Sequence, residues 1–293
     1  MSALTMADDI VDRITQHVET HHADALQRIN TFLTRLQVSC SHRRLVVARM
    51  GSTGSTWLAK LLNSHPDVFC SHEFVVAQVY PAREYGVPDV ERLIEHLATD
   101  CMHGAYSAAG DVGSVWSGYA IALSGRFTTG LLIRHPARIV NRRLSTGALH
   151  FTTIDPEART SVQKLWGIPM ASIEPLNQAF IHDLHTFACQ VRRLDRFDCV
   201  MRVEDLRDAE RCHEAVQALT GMEYEERLVS RALAGRVNVG PVSRSVPEIV
   251  DCFTPDQRGW YERILGNVLP RFGYDLYSDE LSTLAFPGAD SLR

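Results

Sequence analysis

From Ala7 to Leu36 apolar residues recur at intervals of three and four: Val11, Ile14, Val18, Leu26, Ile29, Leu33 and Leu36. Charged residues lie between them, and the stretch contains neither proline nor glycine. This spacing predicts a long amphipathic helix ahead of the core. Packing on its own domain is preferred over a homodimer seam, because His22 interrupts the heptad spacing a seam needs.

The pattern then changes. "RLVVAR" (44–49) is a short apolar run of strand length, and "TWLAKLLNS" (56–64) sets Trp57, Leu58, Leu61 and Leu62 on one helical face. A strand, a loop and a helix therefore follow one another. The alternation returns at "TTGLLIRHPARIVNRRLSTG" (128–147), where Leu131, Leu132 and Ile133 read as a buried strand. Pro136 there suits the first turn of a helix ending near Gly147. "DCVMRVEDL" (198–206) is a third strand candidate. Leu176, Phe180, Leu184, Phe187, Val191 and Leu194 keep one helical stripe, and Thr254, Pro255 and Gln257 form a capping-box pattern before Tyr261, Ile264, Leu265 and Val268. Strands alternating with helices predict an α/β class with a central parallel sheet and helices on its faces. The expected organisation is an N-terminal helical extension (1–40) and one α/β domain (41–293). "LAGRVNVGPVSRSVPE" (233–248), rich in Gly, Pro and Ser, reads as a long loop.

Composition narrows the class without naming a function. The 293 residues are 45% hydrophobic and 22% charged, the balance of an ordinary globular protein. A net charge of −5 gives no global attraction to nucleic acid or to an anionic membrane. No run approaches the roughly 18 apolar residues of a membrane span, and the first twenty residues lack a basic region followed by an apolar one. Seven scattered cysteines, with no C-x-x-C pair, read as free thiols of a reducing compartment, so the expected location is cytoplasmic.

The candidate chemistry sits at "RMGSTGSTWLAKLLNSHPDVFCSHE" (49–73). A Gly/Ser/Thr loop between a strand and a helix offers unpaired amides, hydroxyl donors and the positive end of a helix dipole, which suit phosphate or sulfate. Turns use the same residues for conformational reasons alone, so the loop by itself is a weak signal. It is not a Walker A loop, because no lysine precedes Ser55.

With its context, "GSTWLAKLLNSHPDVFCSHE" resembles the 5'-phosphosulfate-binding region of the sulfotransferase family, where a [KR]-x-G-[ST]-[ST] loop leads to "HPDV" and an acid. "LLIRHPARIVNRRLSTG" is similar to that family's second signature, an arginine with a serine eight residues later that binds the 3'-phosphate of 3'-phosphoadenosine 5'-phosphosulfate (PAPS). "VMRVEDL" and "FTPDQRGWYERILGNVLPRFGYD" resemble later family segments, so the resemblance spans roughly residues 44 to 275 and leaves the N-terminal helix outside it.

The resemblance implies a P-loop NTPase-like sulfotransferase fold and a donor site of Ser52, Thr53, Gly54, Ser55, Thr56 and Trp57 with Arg49, Arg134 and Arg142, and no metal. Gly54, Ser55 and Thr56 match the loop. A second register, with Arg49, Gly51, Ser52 and Thr53 on the motif, fits the spacing to "HPDV" less well. Glu73 matches the catalytic carboxylate of the branch that includes tyrosylprotein sulfotransferases, where it would take the proton of an attacking hydroxyl or amine. Three positions depart from the pattern: Ser52 stands where the loop's basic residue is expected, Arg142 where the serine is, and Val112 where a "GDK" segment carries lysine. Arg49 is a candidate substitute for the first.

Weaker candidates remain. His72 is an alternative base, although successive residues of a strand point to opposite faces, so only one of His72 and Glu73 should face the site. His182 and His185 share a helix face but lack a third ligand at a metal-binding spacing. Trp116 reads as a core or pocket aromatic. The acceptor, a small molecule or a peptide, has no signature; 75–86 and 148–175 are the expected lids. Two other readings stay open: a nucleotide-binding or interaction protein without transfer chemistry, and a P-loop kinase-like phosphotransferase, the latter disfavoured by the missing Walker lysine.

Overall fold

The computed structural model describes residues 13, 27–32, 34, 43–73, 90–95, 97, 106–145, 154, 156–235 and 244–282. They fall into two compact units. A sheet unit takes residues 22–134 and 196–239; a helical unit takes 135–195 and 240–293, with Arg13.

The sheet unit is built on β1 (Arg43–Arg49), β2 (Val68–His72), β3 (Ala108–Gly113), β4 (Thr128–Ile133) and β5 (Cys199–Arg202). All pairings are parallel and the order is β2-β3-β1-β4-β5, so β1 is central. The expected α/β class with a parallel sheet flanked by helices is what the chain forms. Buried strands read as continuous apolar runs, as "RLVVAR" and "GLLI" do. β3 does not: "AAGDVG" is buried throughout yet has little β-branched character, because small residues fit between flanking strands and covering helices.

Among the described residues of this unit, helices α1 (Ser55–Leu62), α2 (Trp116–Leu123), α6 (Ala209–Thr220) and α7 (Glu226–Ala234) cover the sheet; α3 (Pro136–Ser145), α4 (Pro156–Trp166) and α5 (Pro175–Ala188) come between them in the chain and belong to the helical unit. Leu45 and Val47 face a core with Leu58, Leu61 and Leu62 of α1, Val216 and Leu219 of α6 and Val229 of α7. Val46 and Ala48, equally buried, face the other way, where α2 packs on β1, β3 and β4. The right-handed rule explains the split: the β1-to-β2 and β3-to-β4 crossovers run toward opposite edges, so their helices lie on opposite faces. β1 and β4 are neighbours from which the chain departs in opposite directions, the arrangement that opens a crevice at the strands' carboxyl ends.

Residues 27–32 of the expected N-terminal helix are helical. Ile29 is fully buried, and Arg28 pairs with Glu91 at 3.0 Å. Arg13 and Thr34 of that expected helix are helical as well; its other residues, and the expected lid at 75–86, lie outside the described residues.

The helical unit contains α3 (Pro136–Ser145), α4 (Pro156–Trp166), α5 (Pro175–Ala188), α8 (Val246–Val250) and α9 (Pro255–Leu265). Its core includes edge-on aromatic pairs, Phe180 with Phe253 at 5.2 Å and Phe253 with Tyr261 at 5.5 Å. The capping box foreseen at Thr254 and Gln257 is present, each side chain meeting the other residue's amide. The stripe from Leu176 ends as α-helix at Ala188, while Val191 and Leu194 continue in a 3-10 turn. Such a turn eclipses positions i and i+3, so both stay buried. Within the expected lid, 156–166 is helix α4; within the expected loop, 246–250 is helix α8, capped by Ser245 and Glu248.

His185 is not poised for a metal. The Trp166 indole donates to its Nδ1 at 3.0 Å, and its Nε2 lies 3.2 Å from the Ser161 hydroxyl. Among the described residues no helix is long and apolar enough to cross a membrane.

Candidate active site

The chain leaves β1 at Met50 and turns through 50–54 into α1. Two residues of this loop take left-handed backbone angles, Ser52 with φ 63° and Gly54 with φ 80°. Glycine adopts that region freely; a serine there is strained, and strain of this kind accumulates at functional turns. Thr53 is fully buried and its hydroxyl donates to the Met50 carbonyl at 2.8 Å, tying the loop to itself. The Gly54 carbonyl accepts from the amides of Trp57 and Leu58, at 3.0 and 3.1 Å. Among the described residues, no backbone carbonyl accepts from the amides of Gly54, Ser55 and Thr56. These are the orphan donors of a helix start.

The helix is held at its other end as well. The Asn63 side chain takes both the amide and the carbonyl of Cys70, which fixes the end of α1 against β2. β2 runs on from that clamp to end at His72, with Glu73 the next residue.

The two residues point to different places, because Glu73 leaves the extended backbone of β2 for a left-handed turn. His72 Nε2 lies 2.9 Å from Ser55 Oγ and 3.4 Å from Thr56 Oγ1, directly on the loop's hydroxyls. Glu73 has a left-handed φ of 55°, its amide donates to the Val112 carbonyl, and its buried carboxylate turns across the end of β3. There it forms an ion pair with Arg49, and it accepts from the Ser114 amide at 2.9 Å and from the Ser114 hydroxyl at 3.1 Å. Residues just past β2 and β3 and at the end of β1 thus meet through one carboxylate. Burial pushes the His72 imidazole below its ordinary pKa; Arg49 lowers it further and Glu73 opposes both.

Arg134, immediately after β4, donates from Nη1 to the Ser52 carbonyl at 3.1 Å, which brings a guanidinium to the loop from the neighbouring strand. Trp57 turns away: its indole donates to the Ala232 carbonyl of α7 at 2.8 Å. The structure therefore gathers Arg49, Ser52, Gly54, Ser55, Thr56, Glu73 and Arg134 around the loop, and directs Thr53 and Trp57 inward. Arg142 belongs to the helical unit, on the last turn of α3.

A support not foreseen from sequence lies behind Glu73. Asp111 of β3 is fully buried, accepts from the Ser71 hydroxyl at 2.6 Å and from the Trp116 indole at 2.8 Å. A Cβ on Gly113 would stand 2.7 Å from the same Asp111 oxygen that Trp116 binds. "GDVGSVW" is thereby explained as the brace that delivers Ser114 to Glu73, and Trp116 as a core residue, fully buried. An isolated Asp in a run of small residues, followed by Trp, was the available signal.

No family model matches the chain, and no curated protein matches it. Among solved structures it is similar to a sulfotransferase from Alicyclobacillus acidocaldarius, at 16% identity and a TM-score of 0.39 over 78% of this chain and 96% of that one. A likeness this distant carries no argument about chemistry, which rests on the site itself.

Proposed function

We propose that the protein is a PAPS-dependent sulfotransferase that transfers a sulfuryl group to a hydroxyl or amine of a small-molecule or peptide acceptor. One observation carries the reading: orphan amides and two hydroxyls at the start of α1, a guanidinium from β4 and a carboxylate from β2 converge on one loop that lacks the Walker lysine. Amides and hydroxyls of this kind suit a tetrahedral anion, so Gly54, Ser55 and Thr56 would hold the 5'-phosphosulfate and stabilise the leaving phosphate. Arg134 and Arg142 would bind phosphate, and Glu73 would accept the acceptor's proton. Arg49 and the Ser114 amide both engage Oε1, and Oε2 takes only the Ser114 hydroxyl, so Oε2 is the oxygen with a lone pair left to take the proton.

That same engagement favours a second reading, a nucleotide-binding protein in which Glu73 is structural. Titration with adenosine 3',5'-bisphosphate and with ATP plus magnesium separates the possibilities, followed by a screen of extracts with labelled PAPS. Tight bisphosphate binding and a labelled acceptor support the sulfotransferase. Bisphosphate binding with no labelled acceptor supports the second reading, and preference for ATP with magnesium overturns both in favour of a phosphotransferase.

A further inference from the structure

We propose that His72 is a donor-binding residue that becomes an imidazolium when a phosphate or sulfate group arrives at Ser55 and Thr56, supplying the positive charge that Ser52 does not. The inference rests on the donor reading above and assigns a role that the sequence motif leaves unfilled.

The geometry is direct. His72 Nε2 is within hydrogen-bond range of Ser55 Oγ and near Thr56 Oγ1, the two hydroxyls that would grip the anion. An anion on those hydroxyls is therefore a neighbour of the imidazole. From Gly51 to Thr56 the loop contains no basic residue. Of the cations beside it, Arg49 is ion-paired with Glu73, and Arg134 donates to the Ser52 carbonyl. A phosphosulfate carries more negative charge than one guanidinium offsets.

The groups around His72 allow the change. Arg49 at the end of β1 disfavours the imidazolium and Glu73 on its own segment favours it. α1 presents Ser55 and Thr56, which are uncharged. On β3 its register partner is Val112; the Asp111 carboxylate, one residue back, is taken by Ser71 and Trp116. Burial disfavours the charged ring. An adjoining anion reverses that balance, since an opposite charge within hydrogen-bond distance favours the charged form. The proton comes from solvent, and no covalent bond changes.

The test is calorimetric binding of adenosine 3',5'-bisphosphate to the full chain in buffers of different ionisation enthalpy, from about pH 6.5 to about pH 8.5. The ligand's phosphates titrate near pH 6, so the quantity read is wild type minus His72→Gln, in which the ligand's own protons cancel. Wild type should take up close to one additional proton and bind about tenfold tighter at the acid end than at the alkaline end. His72→Gln should lose most at the acid end and little at the alkaline end. Equal proton uptake by the two proteins overturns the proposal and leaves the donor reading standing, as does a variant that binds more tightly at every pH. Wild type that does not bind the bisphosphate at either pH overturns both. If His72→Gln does not fold, wild-type uptake no greater than the free ligand's own titration predicts also overturns the proposal.

Discussion

Arg49 and Glu73 form an ion pair across the end of β3, joining the terminus of the central strand to the residue just past the edge strand β2. Both side chains are largely buried, and the pair sits beside the loop that begins with Met50. Removing one partner of such a pair strands the other, so any test of Glu73 as a base also tests a structural contact.

Glu73→Gln keeps the side chain's size and can still accept from Ser114, but it gives up the charge that holds Arg49. The expected result is a stability loss of about 1.5 to 3 kcal/mol, the range for a hydrogen bond to a charged group, without unfolding. Bisphosphate affinity should be nearly unchanged while transfer falls about 10²- to 10⁴-fold. Denaturant titration separates the two effects. Native-rate transfer by the folded variant removes Glu73 from the base role.

Arg134→Ala should weaken adenosine 3',5'-bisphosphate by about 1.5 to 3 kcal/mol, because a guanidinium on phosphate makes charge-assisted bonds. The substitution also frees the Ser52 carbonyl, so thermal melting should accompany calorimetry. Unchanged affinity in a protein of lowered melting temperature means that Arg134 serves only to brace the loop.

These residues were legible to different degrees. Ser55, Thr56 and Arg134 announce themselves through strand-to-helix patterning, which places them at the carboxyl ends of parallel strands wherever the pattern is strong. His72 and Glu73 were legible as alternatives of which one should face the site; both lie beside the loop, because Glu73 falls just past β2 with a left-handed φ of 55° and escapes strand alternation. Their partners were not legible. That Glu73 would meet Arg49 depends on β3 lying between β1 and β2, a strand order no local pattern encodes. β3 itself was hidden because "AAGDVG" lacks the bulky residues by which strands are recognised. Helix α8 carried a readable Ser-x-x-Glu signal at Ser245 and Glu248, and was masked by the Pro and Gly content around it.

Trp116→Phe should cost about 1 to 3 kcal/mol by chemical denaturation. The ring's packing survives, but the buried Asp111 carboxylate loses the donor it holds at 2.8 Å. Gly113→Ala should cost stability through the same bond, since its methyl would lie 2.7 Å from the acceptor oxygen. Two variants as stable as wild type would show that Asp111 is satisfied without the indole.

Asp183 predicts how stability varies with pH. Burial raises its carboxyl to about 6, although Arg143, 2.9 Å away, pulls in the other direction. The folded protein therefore keeps this proton to a higher pH than the unfolded chain, whose carboxyl titrates near 4. The stabilising contribution is full below about pH 4 and is lost as pH rises through about 6, a change of about 2 to 3 kcal/mol. Asp183→Asn removes it. Wild type should therefore lose stability relative to the variant between about pH 4 and about pH 7, whatever constant offset the lost ion pair adds. A difference that stays flat across that window means Asp183 titrates as it would in the unfolded chain.

Arg142 decides whether the altered second motif still serves the donor. It occupies the position where the resembling family has a serine, on the last turn of α3, half-buried, with its own carbonyl accepting from Ser145 at 2.8 Å. An arginine there offers a planar fork that matches a phosphate bidentately, a stronger and longer-reaching contact than a hydroxyl makes. If Arg142 grips the 3'-phosphate, Arg142→Ser should weaken adenosine 3',5'-bisphosphate by about 10- to 100-fold, the equivalent of a charged hydrogen bond, and leave adenosine 5'-phosphate nearly unaffected. The comparison isolates the 3' group because the two ligands differ only there. Equal losses for both ligands place Arg142 away from the 3'-phosphate. A tighter bisphosphate complex in the variant shows instead that the native arginine overfills the pocket, which would count toward the reading without transfer chemistry.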